Sequence, residues 1–150
     1  MEKFVKLLRQ DYPRFTFKKG KIASWSSKDQ RIFYVLNDGA SGLWALLHEL
    51  GHALLGHKSY ENDMELLGKE VEAWEKACSL ARTYDLCVPK DYVESCLDTY
   101  RDWLHKRSLC PDCGNYGLQH SQDKYKCINC RNTWGVTNTR FCRPYRRSRT

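Results

Sequence analysis

The sequence predicts an α+β protein that ends in a small cysteine-rich ribbon, and three observations lead there. Apolar residues recur at helical spacing in four stretches. Short β-rich pieces bounded by turn residues lie between the first and second of these. Past residue 107 the helical periodicity stops and Cys, Gly, Asn, Arg and Tyr take over, with two Cys-x-x-Cys pairs. The domain boundary is expected near Ser108, giving one domain over 1–107 and a second over 108–150.

In chain order, Phe4, Val5, Leu7 and Leu8 predict a short amphipathic helix over 3–10, stopped before Pro13. Over 15–36, FTF, KIASWS and RIFYVL are separated by Lys-Gly and by a polar Ser-Ser-Lys-Asp-Gln stretch, which predicts two or three antiparallel strands. Asn37, Asp38 and Gly39 end the last strand, and Ser41 is a suitable cap for a helix through SGLWALLHELGHALLGH. Two further helices are expected at about 64–84 and from near Pro89 to about Lys106. In the ribbon, 117–120 and 125–126 read as the arms of a hairpin.

A chain of 150 residues can bury one modest core and carry a small metal-stapled appendage. With 41% apolar and 29% charged residues it reads as an ordinary globular protein, which excludes a disordered or fibrous chain. The N-terminus lacks the apolar run and small-residue site of a signal peptide, and no apolar stretch approaches the roughly 20 residues of a membrane span. The expectation is a cytoplasmic protein without a membrane partner, whose eight cysteines stay reduced and serve as metal ligands and small apolar residues. The net charge of +7 is uneven: 17 basic against 16 acidic residues over 1–107, and 8 against 2 over 108–150. Four thiolates on one zinc would leave the tail at about +4.

The segment His48-Glu49-Leu50-Gly51-His52 carries the chemistry. Imidazoles four residues apart project from one helix face and can grip one zinc ion. Glu49 sits about 100° further round, where its carboxylate can take a proton from a metal-bound water and pass it to a leaving amine. Gly51 would let a substrate strand or β-edge approach the helix closely. An open zinc site needs a third protein ligand. Glu72, with 19 residues between it and His52, is the expected one, and Glu70 or Glu75 could replace it because the helix phase is only approximate. His57, about 140° round from His52 on a continued helix, would need a bend at Gly56 to reach the metal. Tyr60, Tyr84, Tyr100 and His105 are candidates to stabilise a developing oxyanion.

HELGHALLGH followed by EVEAWEKA resembles the gluzincin clan, in particular the ImmA/IrrE-like minimal metallopeptidases, over about residues 1–88. The resemblance implies a minimal zincin unit with a small sheet beside the active-site helix. It implies zinc on His48, His52 and Glu72, with Glu49 catalytic, and as substrate an intracellular regulatory protein such as a repressor of mobile elements or stress responses. Trp74 departs from the family pattern, in which a small or polar residue follows Glu-Ala, and no helix-turn-helix precedes the unit. A His-Glu-x-x-His helix followed by a Cys-x-x-Cys ribbon is also similar to SprT and Spartan proteases, which act on DNA-bound proteins and use a third histidine. A third reading is a non-catalytic module in which the ribbon binds DNA or RNA.

Cys110, Cys113, Cys127 and Cys130, with 13 residues between the pairs, are spaced to close four thiolates round a structural zinc, with iron as the lesser alternative. Gly114 supplies the turn after the first pair. Cys78, Cys87, Cys96 and Cys142 lack such spacing and are expected to be neither ligands nor nucleophiles. Arg140, Arg143, Arg146, Arg147 and Arg149, interleaved with Phe141 and Tyr145, could contact nucleic-acid phosphates and bases. The predicted partners are thus a protein substrate and DNA or RNA.

Overall fold

In a computed structural model, residues 1–36, 39–137 and 146–147 are described, the last two by backbone alone. Arg140, Arg143, Arg149, Phe141, Tyr145 and Cys142 lie outside these residues, as do the side chains of Arg146 and Arg147. The described residues form four helices and two small sheets, an α+β arrangement. Among the described residues, no helix is long and apolar enough to cross a membrane.

The chain divides into two compact units, Met1–Ser59 with Gly68–Val93, and Tyr60–Leu67 with Glu94–Thr150. The second unit therefore contains more than the cysteine ribbon. Near Ser108 the helix gives way to the ribbon sheet.

The first unit opens with α1 (Glu2–Asp11), whose Val5 and Leu8 are buried. Strands β1 (Thr16–Lys19), β2 (Ser24–Ser26) and β3 (Arg31–Tyr34) follow. They form one sheet in the order β1-β3-β2. The expected antiparallel sheet needs correction: β2 pairs antiparallel with β3, but β1 pairs parallel with it, from Thr16 opposite Arg31 to Lys19 opposite Tyr34. The reason lies in β3, whose Ile32 and Tyr34 are buried. At the centre of the sheet its backbone groups find partners on both edges, whereas strands in chain order would leave this buried strand at an edge.

Helix α2 (Gly39–Leu55) packs against β2 and β3. It begins at Gly39, three residues before the Gly42 start that a Ser41 cap would give, so Ser41 lies in its first turn. Helix α3 (Asp63–Thr83) buries Glu70, Ala73, Trp74, Ala77, Leu80 and Ala81, a 3.6-residue stripe. Helix α4 (Lys90–Ser108) follows.

In the second unit, β4 (Gly117–Ser121), β5 (Lys124–Cys127), β6 (Thr133–Val136) and β7 (Arg146–Arg147) form an antiparallel sheet in chain order. Its core is Cys110, Tyr125, Cys127, Trp134 and Val136. Arg107 is fully buried: Nε lies 2.9 Å from Asp63 Oδ2, Nη1 donates to the Thr137 carbonyl at 2.9 Å, and the guanidinium covers Trp103 at 4.1 Å. The Tyr125 hydroxyl donates to the same Asp63 carboxylate. Burial pushes the Asp63 carboxyl up against the opposing pull of Tyr125, Arg107 and Gln119.

Candidate metal centres

Among the described residues, two groups of side chains could hold a metal ion. The first joins α2 to α3. The four-residue spacing on α2 brings His48 Nε2 and His52 Nε2 within 3.1 Å of each other. Glu70 spans both rings, with Oε2 at 3.1 Å from His48 Nε2 and Oε1 at 3.6 Å from His52 Nε2. A tetrahedral zinc with bonds to nitrogen near 2.0–2.1 Å would separate its ligand atoms by about 3.3 Å, so these residues fit the ion. Burial raises the Glu70 carboxyl, but the hydrogen bonds and charges of His48 and His52 outweigh it and hold the group far below the usual carboxylate range.

The carboxylate that joins His48 and His52 in this group is Glu70, not the Glu72 expected as third ligand. Glu70 belongs to the buried stripe of α3, while Glu72 lies off it with its side chain 62% exposed. The stripe formed by Ala73, Trp74, Ala77, Leu80 and Ala81 fixes the helix phase and would have selected Glu70 from sequence. Glu72 instead accepts a hydrogen bond from His57 Nε2 at 3.1 Å. The bend at Gly56 does occur, but it brings His57 Nδ1 to 2.8 Å from His52 Nδ1, on the far side of that ring from the Glu70 carboxylate. Burial lowers the pKa of His57, partly opposed by its hydrogen bond to Glu72.

Glu49 is half-buried and does not belong to the ligand group. Desolvation raises its pKa, the charges of His48 and His52 and the Trp25 backbone N–H lower it, and Glu70 raises it. Trp74 stacks on the His48 ring, centroids 4.2 Å apart and planes 25° from parallel, and its edge meets Tyr92. Trp74 therefore forms a wall against the His48 ring. Gly51 is also reassigned. The close approach it permits is by α3, since a Cβ at this position would stand 2.6 Å from the Ala73 carbonyl oxygen.

Of the oxyanion candidates, Tyr84 donates to Asp11 at 2.7 Å and packs on Phe4. Tyr60, Tyr100 and His105 belong to the second unit, where His105 Nδ1 pairs with the Tyr116 hydroxyl at 3.0 Å.

The second group is Cys110, Cys113, Cys127 and Cys130. Sulfurs stand 3.6 Å apart between Cys110 and Cys130 and 3.5 Å apart between Cys113 and Cys127. Zinc–sulfur bonds near 2.3 Å imply a tetrahedral edge of about 3.8 Å, so a four-thiolate site fits. In the first knuckle Gly114 adopts φ +71 and donates to the Cys110 carbonyl at 3.0 Å. Arg131, in the matching position after Cys130, adopts φ 62 without being glycine. Backbone and side-chain N–H groups of Asn115 hold the Cys113 thiol down at about 6. At Cys130 the Asn132 N–H pulls the other way, but burial and the neighbouring sulfurs push the thiol up to about 12. Cys78, Cys87 and Cys96 form no disulfide and stand outside both groups.

Compared with protein-family models, curated proteins and solved structures, the chain matches none.

Proposed function

We propose that the chain is a zinc-dependent metallopeptidase built on a minimal zincin unit, with His48, His52 and Glu70 as ligands of a catalytic zinc and Glu49 as general base. The observation that carries this reading is the convergence of two imidazole nitrogens and a carboxylate on one point, with a second, half-buried carboxylate on the next residue of the same helix. Three ligands leave a fourth direction free. Zinc bound there would polarise a peptide carbonyl and acidify a water. Glu49 would serve as the base for such a water and return the proton to the leaving amine, and burial raises its pKa in the direction that favours this return.

Trp25 supports the positioning of both base and substrate. Its backbone N–H reaches Glu49, so the edge of β2 that does not pair with β3 is turned toward the base. An extended peptide can add to that edge and pass beside Glu49. A carboxylate as third ligand favours the gluzincin reading over the SprT type, because His57 stands behind His52.

The cysteine group would hold a structural zinc, and the ribbon would recruit an intracellular regulatory or nucleic-acid-associated protein, with the arginines of the tail as the DNA or RNA contact. The seven described cysteines form no disulfide, which supports a cytoplasmic setting.

Elemental analysis of wild type, His52→Ala and Cys110→Ser tests the metal assignment. Two zinc ions per chain, falling by one in each variant, are expected. Zinc lost only with Cys110→Ser would refute the catalytic centre. Labelling of new N-termini in a cell lysate tests the reaction. Termini should appear with wild type and not with zinc-loaded Glu49→Gln, and equal patterns would refute proteolysis.

A further inference from the structure

We infer that His57 and Glu72 are positioning residues for the first metal centre, forming a hydrogen-bonded chain that fixes the ring of His52 and directs its Nε2 toward the metal. The inference rests on the zinc reading of His48, His52 and Glu70.

The chain begins in the backbone. Helix α2 ends with two reversed hydrogen bonds, Gly56 N–H to the Ala53 carbonyl at 3.2 Å and His57 N–H to the His52 carbonyl at 3.0 Å. These two bonds, with φ +69 at Gly56, make the left-handed helix stop that glycine favours. The reversal carries residue 57 back over the last turn, so its side chain meets the residue five positions earlier. The Trp25 indole N–H then donates to the His57 carbonyl at 2.9 Å and ties this turn to β2. His57 is buried at 9% exposure although it follows the helix end.

The proton positions follow from the two ends. At one end Glu72, as a carboxylate, only accepts, so His57 Nε2 carries the hydrogen across their 3.1 Å. A neutral His57 then has a bare Nδ1, and the 2.8 Å contact requires the hydrogen to sit on His52 Nδ1. That leaves the electron pair of His52 on Nε2, the atom beside His48 and Glu70. Read from the metal end, ligation through Nε2 demands the same arrangement, so one set of protons satisfies the whole chain. The two ligand rings are held differently. His48 Nδ1 is buried without a hydrogen-bond partner among the described residues, and its ring is held by stacking on Trp74.

The test measures zinc affinity at the first centre by chelator competition, in full-length protein with the ribbon zinc in place. His57→Leu and Glu72→Ala should each bind about 10- to 100-fold more weakly, the range for lost partners of zinc-bound histidines. His57→Asn, whose side-chain oxygen can accept from His52 Nδ1, should recover much of the loss. Glu72→Ala should add little on a His57→Leu background. In the wild type, 15N-resolved spectra of the imidazoles should show His52 protonated at Nδ1, and in His57→Leu that signature should weaken. Equal affinity in wild type and both variants, or equal losses for the Leu and Asn replacements, would overturn the positioning role and leave the zinc reading intact. Absence of zinc from this centre in wild type would overturn the zinc reading, and the positioning role with it.

Discussion

Replacement of Gly51 with alanine should damage the first metal centre without altering any of its ligands. A Cβ built at residue 51 stands 2.6 Å from the carbonyl oxygen of Ala73 and 3.4 Å from Lys76 Cβ. The first is a backbone atom of α3, so no side-chain rotation relieves it, and the two helices must separate by about 0.4 Å to lift the clash and by at least about 0.8 Å to reach ordinary contact. Glu70 lies one turn before Ala73 on α3, while His48 and His52 flank Gly51 on α2. The displacement therefore falls across the ligand group, where zinc tolerates about 0.2 Å. Alanine gains about 1 kcal/mol in helix propensity and overpacking costs about 1–3 kcal/mol, so the metal-free protein should be near-neutral to about 2 kcal/mol less stable. Zinc affinity should fall by at least about tenfold. Gly68→Ala on α3 is the control, because a Cβ there meets nothing within 4 Å. It should gain about 0.5–1 kcal/mol and leave zinc binding unchanged. Urea unfolding and chelator competition on both variants decide the matter. If Gly51→Ala matches Gly68→Ala in both measurements, close helix approach does not set the geometry of the centre.

In the second unit, Arg107→Met should lower stability by about 3–5 kcal/mol in urea unfolding, since it leaves Asp63 buried and unpaired. Adding Asp63→Asn should recover part of that loss, and additive losses would refute the pairing. Gly114→Ala should cost about 1–2 kcal/mol in zinc-loaded protein, whereas Arg131→Gly should be neutral to about 1 kcal/mol stabilising, because the second knuckle already bears a side chain at positive φ. In zinc-stripped protein, iodoacetamide should modify Cys113 before Cys130, with the Cys113 rate rising through about pH 6 while Cys130, at about 12, stays protonated. The sign follows from a depressed thiol: folding favours its thiolate above the unfolded value, and that contribution is lost as pH falls through about 6. Equal labelling of the two by peptide mass spectrometry would refute the assignment.

What was legible in the sequence is what local periodicity encodes. The pairing of His48 with His52 needs only a helix, and the two cysteine knuckles need only their own short turns. Glu70 was legible in principle, since the apolar stripe of α3 sets the phase that separates it from Glu72. The sheet order was not, because β1 pairs with β3 and skips β2, its neighbour in sequence, and no local pattern says which edge a strand will take. The union of Asp63 with Arg107 and Tyr125 spans 62 residues to the tyrosine and carries no sequence signature. His57 lies between these cases. The glycine before it announces a bend, but what the ring meets after the bend depends on hydrogen bonds back to Ala53 and His52.

The two centres reach their geometry by opposite means. In the ribbon, the candidate ligands and their support come from the same two short turns: Asn115 directs an N–H at Cys113, and Asn129 directs its backbone N–H at Cys127 and its side-chain N–H across to Cys113. Four thiolates on one zinc would then close the site. In the first centre the ligands sit on two helices, and each is fixed by something other than itself. Glu70 is set at the distance Gly51 allows between α2 and α3, His48 is set by the face of Trp74, and His52 by the turn that Gly56 makes and His57 completes. A centre supported from outside in this way can hold three ligands and leave a fourth direction open, because no ligand has to close the site to keep its place.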